Sequence, residues 1–514
     1  MTDRKESTPV GATDQEFLWG VASSGYQCEG GFNGPGQPQN NWAPAELSDD
    51  VMRTGSATDF WNRYEEDLER CRAMGLNAFR LSVEWARVQP IHSAMDDGIP
   101  GFDGEAIDGY ADRIAACRTF GLEPVVTLHH FTHPLWLGSD AWLDDDTPEH
   151  FGRFVRECCI RINRRLIAVH QQDPIRWYVT LNEPNMLVLN TYLNRQFPAY
   201  GPLGLAAGVC AYNRLLAAHV KAYNIIHDIY EEAGWTRPMV TMNTFCSDAY
   251  WSEKMLLDLL YVRERGINRA DLTTYLRTGS SQLRKAMHAA DLPFHTDLFV
   301  WIGRFVYLLA DWMAPRHATG KTFAFFLDEL DRSKRSRVLD YLGLDYYDPF
   351  TGHLFRPPSF QDLEFKSKSL TGHMMAGLSR KWWDWHVLPQ GLHFFSSYYS
   401  EDFGLGVLIA ENGMALRCKM DNSHSAPRRD KVTRSEFLRA HVGEVQRLRA
   451  DGVPMLGYLH WSITDNYEWG SYTPRFGLFS VDYQDNARRK VEDPFGDKPS
   501  ETYASLVKEA RAGR

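Results

Sequence analysis

Short runs of Val, Ile, Leu and aromatic residues recur along the whole chain, at Phe17 to Ser24, Ala78 to Trp85, Pro124 to His130, Trp177 to Glu183, Met239 to Phe245, Tyr341 to Tyr347, Val407 to Glu411 and Met455 to Trp461. Each is short enough for one strand. Between them the apolar residues return every three to four positions, as in Ala57 to Met74 and Ile107 to Phe120, the spacing that gives a helix one apolar face. Gly75 and Gly121 follow those two stretches and predict helix ends in the left-handed conformation.

Eight strands alternating with helices predict an α/β fold, a single closed (β/α)8 barrel of the TIM type, rather than an open doubly wound sheet. No Gly-rich dinucleotide fingerprint follows the first run, which counts against the open sheet. Such a barrel gathers its chemistry at the carboxyl ends of its strands. The polar residues expected there are Arg80, His130, Asn182 with Glu183, Tyr347, Glu411 and Trp461. The barrel is expected to span residues 16–491, after a disordered tail of residues 1–15 and before a C-terminal helix or tail, residues 492–514, packed on or near it. Extra length goes into active-site loops, one over residues 24–56 and one over 348–400 that carries Trp382, Trp383 and Trp385. The stretch 246–338 is helical and charged without clear divisions, and Asp421 to Arg434 is expected to be exposed and mobile.

A length of 514 residues would ordinarily suggest several domains, but large barrels are the exception. The net charge of −10 and the lack of a Lys/Arg run argue against a nucleic-acid partner. Met1 to Gln15 is polar and lacks the apolar core of a secretory signal, so the chain is expected in the cytoplasm. Eight cysteines without CxxC spacing predict reduced, buried thiols, with neither a disulfide framework nor a zinc site. The most apolar segment, Phe299 to Ala314, is too short for a membrane span and carries Arg304 and Asp311. It predicts a buried or surface-lying amphipathic helix, and no transmembrane segment is expected.

Two of the strand ends carry a glutamate: Glu183 in Thr180 to Pro184 (TLNEP) and Glu411 in Ile409 to Gly413 (IAENG). Cleavage of a sugar–oxygen bond needs two carboxyl groups in one cleft, one protonated to release the leaving group and one ionised to meet the anomeric carbon. The alternative for each, taken alone, is a glutamate that ties down a loop. His129, His130 and His133 suggest a metal site only weakly, because no second ligand cluster sits at another strand end.

Seven motifs in order carry a resemblance to a known family. They are Phe17 to Gln27 with Glu29-Gly30, Phe79 to Trp85, Thr127 to Phe131, Thr180 to Pro184, Tyr341 to Tyr347, Ile409 to Gly413, and Trp461 to Trp469 with Arg475 to Leu478. Over residues 16 to 491 the chain resembles glycoside hydrolase family 1, the retaining β-glucosidases and β-galactosidases. The resemblance implies Glu183 as general acid/base and Glu411 as nucleophile, with Arg80 keeping Glu411 ionised and Tyr347 hydrogen-bonded to it. An ordinary buried ion pair and a core aromatic are the alternatives for Arg80 and Tyr347. Asn182 matches the residue that binds the sugar 2-hydroxyl, and Gln27, His130, Trp461, Glu468 and Trp469 are expected to hold the rest of the sugar. Simple core packing competes for the tryptophans, since all 16 cannot touch substrate.

A small-molecule β-glycoside is then the implied partner, with no cofactor, no metal and a homo-oligomer left open. Glu468 would repel a sugar 6-phosphate, so a terminal non-phosphorylated β-D-glycoside is favoured, a glucoside first and a galactoside or fucoside as alternatives. A transglycosidase using the same two glutamates, or a non-catalytic carbohydrate-binding protein, would fit the same scaffold. Two carboxylates in place weigh against the last. The chain departs from the family pattern at three places: Asp345 stands where asparagine is usual, His133 replaces a leucine-like residue, and residues 290–330 are hard to recognise. Asp345 is expected either to raise the pKa of Glu411 or to be neutralised by a nearby base. The apolar run in the last segment is expected to pack on the barrel, or else to form an apolar lid or a membrane-surface contact.

Overall fold

The computed structural model describes residues 16–91, 95–96, 98–194, 196–293, 298–347, 350 and 382–512. The expected tail 1–15 and much of the second long loop, residues 348–349 and 351–381, lie outside the described residues. Eight parallel strands form the centre: β1 (Leu18–Ala22), β2 (Ala78–Ser82), β3 (Glu123–Thr127), β4 (Trp177–Asn182), β5 (Met239–Phe245), β6 (Leu342–Tyr346), β7 (Val407–Asn412) and β8 (Met455–Trp461). Each pairs with its neighbour in sequence, and β8 returns to β1 with Leu18 opposite Gly457 and Ala22 opposite Trp461, so the barrel is closed. The eight apolar runs of the sequence are these eight strands.

Alternation sorts the side chains into two layers. Leu18, Ala78, Val125, Trp177, Leu408 and Leu459 pack together inside the barrel. Their neighbours Trp19, Phe79, Val126 and Tyr178 belong to the larger core between strands and helices. Those helices are α1 (Phe60–Ala73), α2 (Gly104–Thr119), α3 (Thr147–Ala168), α4 (Leu205–Ala233), α5 (Lys254–Leu260), α6 (Leu272–Ala289), α7 (Leu298–His317), α8 (Ala324–Arg332), α9 (Pro389–Phe403), α10 (Arg434–Ala450) and α11 (Pro499–Ala512). Gly75 and Gly121, at φ +75° and +76°, follow α1 and α2 as their spacing predicts. Tyr503 of α11 lies across the closing seam, its hydroxyl donating to the carbonyls of Gly20 at 2.8 Å and Tyr458 at 3.4 Å.

Several segments differ from their sequence expectation. Among its described residues the undivided 246–338 stretch contains four helices, α5 to α8, and the loop over 24–56 contains helical turns at Gly25–Cys28 and Ala43–Leu47. Asp421 to Arg434 is exposed over much of its length but tied down. Ser425–Ala426 pairs with Leu416–Cys418, Arg428 is buried against Asp430, and buried Arg434 donates to the carbonyls of Gly477 at 2.6 Å and Arg475 at 2.7 Å. Seven cysteines are buried as free thiols, while Cys210 is half-buried. The apolar run near residue 300 is indeed a helix, α7, but its apolar side faces outward.

One buried ion pair fastens the C-terminal part to the barrel wall. Asp67 of α1 accepts from Arg489 at 3.1 Å on Oδ1 and 2.7 Å on Oδ2, with both side chains fully buried. Removing one partner leaves a charge without compensation in a desolvated place. Asp67→Ala is therefore expected to lower the unfolding free energy by about 3–5 kcal/mol in urea titrations, and a loss below about 1 kcal/mol would show that water reaches Arg489.

Candidate active site

The two glutamates reach one place because the strands that carry them are irregular just before them. On β7, Leu408 and Ala410 point into the barrel, so strict alternation would turn Glu411 outward. The pairing of β7 with β6 shifts there, with Leu344 opposite Ile409 but Asp345 opposite Glu411, and Glu411 follows Ala410 inward. On β4, Thr180 points out to His219 of α4, at 2.7 Å. The register then shifts between Val179 and Asn182, and Asn182, of the same parity as Thr180, points in. Glu183 comes next with φ +39°, a left-handed backbone rare for a non-glycine residue, and its N–H donates to the Asn243 carbonyl at 3.0 Å.

Arg80 lies beneath the pocket rather than on its wall, mid-strand in β2 rather than at its end, and fully buried. Its Nη1 donates to Glu411 Oε1 at 2.7 Å, Nη2 to Asn182 Oδ1 at 2.6 Å and Nε to Thr127 Oγ1 at 2.9 Å. The Tyr347 hydroxyl donates to the other Glu411 oxygen, Oε2, at 2.8 Å. Asn243 was not singled out in the sequence; its Nδ2 donates to Asn182 Oδ1 at 2.8 Å and also to Asp345 Oδ2. The available signal was a polar residue near the end of an apolar strand run.

One oxygen from each of Glu183, Asp345 and Glu411 lies within 4.8 Å of the other two. Arg80 is the cation among them, 2.7 Å from Glu411 and 3.9 Å from Asp345. Burial pushes Glu183 well above the usual carboxylate range, and the charge of Glu411 pushes it further. Asp345 is also raised well above that range, by burial first and then by Glu411 and Glu183. Glu411 is raised by burial but drawn back by Arg80 and Tyr347. The sequence left open whether Asp345 would disturb Glu411 or be neutralised by a base. The disturbance falls chiefly on Asp345 itself, because Arg80 is already committed to Glu411. A cation could be ligated by these three carboxyls, but the guanidinium already supplies positive charge there, and protons on Glu183 and Asp345 complete the balance.

Above this cluster is an open pocket. Its wall includes His130, Asn182, Glu183, Glu411, Trp461, Glu468 and Trp469, with Phe245, Trp382 and Trp385 among the further aromatics. The His130 ring is parallel to both Trp461 and Trp469, at 5.7 and 5.8 Å between centroids, and burial keeps it neutral. Its Nδ1 has no partner among the described residues. Trp461 Nε1 donates to Glu468 Oε1 at 3.0 Å and Gln27 Nε2 to Glu468 Oε2 at 3.2 Å. Burial lifts Glu468 to about 8. Gln27 is fully buried behind Glu468 rather than on the pocket wall. The neighbouring histidines part company: His129 lies edge-on to Trp142 at 5.1 Å, and His133 Nε2 is 2.9 Å from the Gly138 carbonyl.

The sequence profile described as glycosyl hydrolase family 1 matches residues 11–248 and 280–506 of this chain. The chain is 25% identical to beta-glucosidase A of Thermotoga maritima, over 93% of this chain and 94% of that protein. It is equally 25% identical to 6-phospho-beta-galactosidase 1 of Streptococcus pneumoniae, over 94% and 97%. The solved structure of the Thermotoga maritima beta-glucosidase with a methoxycarbonyl-substituted glucoimidazole has the same fold, with a TM-score of 0.66 at 21% identity, covering 97% of this chain and 99% of that one.

The raised carboxyls make a prediction about stability. Between the ordinary carboxylate range and its raised folded value, each group holds a proton in the folded protein that it has lost in the unfolded chain. Its contribution is therefore greatest at low pH and is lost as pH rises; for Glu468 the window runs from 4.5 to about 8. Asp345→Asn removes one such group and is expected to be more stable than the parent at about pH 8, converging with it near pH 4, with a slope smaller by up to ~1.4 kcal/mol per pH unit. Urea unfolding across pH checks this, and an unchanged slope would mean that Asp345 is ionised in the folded state.

Proposed function

Given that this chain belongs to glycosyl hydrolase family 1 and is a glycosidase, we propose that it hydrolyses terminal, non-phosphorylated β-D-glycosides with retention, glucosides first, with galactosides or fucosides as alternatives. The observation that carries this is the unequal treatment of two close carboxyls. Both Glu411 oxygens are held by donors, Arg80 and Tyr347, whereas Glu183 Oε1 is buried with no partner among the described residues. The first environment favours an ionised nucleophile, the second a protonated acid. Their separation, within 4.8 Å for one oxygen of each, suits direct attack on the sugar rather than an interposed water, which requires roughly 6.5–9.5 Å.

In this mechanism Glu411 attacks the anomeric carbon as Glu183 gives its proton to the leaving oxygen. Esterification removes the charge of Glu411, Glu183 then loses its proton more readily, and it takes one from the water that releases the sugar. Asn182, its Oδ1 fixed by Arg80 and Asn243 and its Nδ2 3.4 Å from His130 Nε2, has a second Nδ2 hydrogen for the sugar 2-hydroxyl, a contact that strengthens in the oxocarbenium-like transition state. Glu468 and His130 offer polar atoms to the outer hydroxyls, and the indole of Trp461 offers a face to the C–H side of the ring.

The relatives include enzymes named for both plain and 6-phosphorylated sugars, so the choice between them belongs to this proposal. None of the described residues lining the pocket is a lysine or arginine. Among the described residues of that wall a phosphate would meet Glu468 and no cation. Nitrophenyl β-glucoside is expected to exceed its 6-phosphate in kcat/KM by roughly a hundredfold or more, and a preference for the phosphate would sink that part of the reading.

Retention is tested separately. Glu183→Ala should lose roughly 10²–10⁴ in rate on glycosides with poor leaving groups, and azide should restore turnover to give a β-glycosyl azide. Glu411→Ala with azide should give the α-azide. An α-product from the first variant would overturn the assignment of roles.

A further inference from the structure

The crossover between β5 and β6 contains a helix built inside out. Nine large apolar side chains of α7 are exposed, from 36% for Met313 to 68% for Trp301, 70% for Phe305 and 71% for Leu298. Its acidic residue, Asp311, is instead only 4% exposed, and accepts from the backbone N–H groups of Tyr250 and Trp251 at 3.2 and 3.1 Å. A helix on a solvated protein has the reverse arrangement. The exposed side chains amount to an apolar face on the order of 1,000 Å², beyond the roughly 300–600 Å² of the largest patch on a typical soluble monomer. Other exposed large apolar residues, such as Leu47, Val169 and Phe495, are spread through the rest of the chain.

Tyr250 and Trp251 also locate this face. They follow the carboxyl end of β5, whose last residue, Phe245, lines the pocket. Asp311 therefore anchors α7 on the side of the barrel where the pocket opens.

Charge indicates what covers it. Between Leu272 and Thr322 the sequence has six Lys and Arg against three Asp, an excess of three positive charges in a chain of net −10. On α6, which packs against α7, Arg277, Arg284, Lys285 and His288 form one exposed stripe. Arg277, Arg284 and Lys285 make no ion pair among the described residues. At the C-terminal end of α7 the Arg316 guanidinium lies over the ring of exposed Trp312, 4.1 Å from its centre. A second copy docked through the same face would bring these cations against their own kind. An anionic lipid surface would take the apolar side chains into its acyl boundary and set the cations at phosphate level, with Trp301 and Trp312 suited to the interface between. Among the described residues no helix is long and apolar enough to cross a membrane, so the contact is one of lying on the bilayer.

We propose that the exposed face of α7, with the cationic stripe of α6, docks this protein on an anionic lipid bilayer with the rim of the barrel mouth turned toward the lipid. The test is co-sedimentation of the full chain with vesicles of phosphatidylcholine alone, or of phosphatidylcholine and phosphatidylglycerol in about a 7:3 ratio. Pelleting with the anionic vesicles should exceed that with the neutral ones by roughly tenfold and fall with added salt. The triple variant Trp301→Ser, Phe305→Ser, Trp312→Ser should lose roughly tenfold or more of this binding while hydrolysing a soluble nitrophenyl β-glycoside at the parental rate. Arg277→Glu, Arg284→Glu, Lys285→Glu should abolish the preference for anionic vesicles. Equal pelleting of parent and triple variant would overturn the proposal. So would a concentration-dependent dimer that the triple variant renders monomeric without vesicle binding, which would assign the face to a second copy. Binding does not require turnover, so failure of the glycosidase reading would leave the vesicle result standing.

Discussion

A single guanidinium sets the terms for the interior of this barrel. Arg80 is cut off from water and surrounded by three carboxyl groups, and it can neutralise only one of them at close range. Which one is decided by hydrogen bonding: Glu411 receives both Arg80 and Tyr347, and the others do not. The remaining two must hold their protons to stay buried, since the alternative is an uncompensated charge in a medium that solvates it poorly. Two glutamates are thus given unlike environments without any difference in residue type. Burial raises all three carboxyls and the charge of Arg80 draws each of them back, but only Glu411 also has hydrogen bonds from Arg80 and Tyr347.

That division requires contributions from β2, β4, β6 and β7, which no pair of neighbouring strands could supply. The network continues outward through Asn182 and Asn243 on one side. On the other wall of the pocket Glu468 is fixed by one hydrogen bond to each oxygen, from Gln27 and Trp461, and His130 lies parallel to two indoles. Side chains locked in this way lose little freedom when a ligand arrives, which is how a pocket spends its stability on orientation.

Much of this was legible in the sequence because the strand signal is local. Each apolar run bounded by polar segments became a strand, and the two glutamates could be placed at strand ends by counting. What escaped was register. A period of two predicts that Glu411 should face the same side as Ile409, and that Asn182 should match Thr180; the shifts in β7 and β4 reverse both, and a bulge leaves no mark on local composition. Asn243 was hidden for a related reason: its partners, Asn182 and Asp345, lie on neighbouring strands far away in sequence. For α7, apolar periodicity identified the helix but not which way it faces, because a helix that packs by its polar side has the same pattern as one that packs by its apolar side.

The seam between β1 and β8 joins residues near 20 to residues near 460, and Tyr503 sits across it. During synthesis, therefore, the first strand has one edge without its native neighbour until almost the whole chain has left the ribosome. At roughly 5–20 residues per second that wait is on the order of tens of seconds to a minute or more. Throughout it, apolar strands that will become interior are partnered on one side only, and the pocket, which draws on residues from His130 to Phe476, is incomplete. A closed barrel thus leaves an apolar strand edge open to unwanted pairing for most of its synthesis.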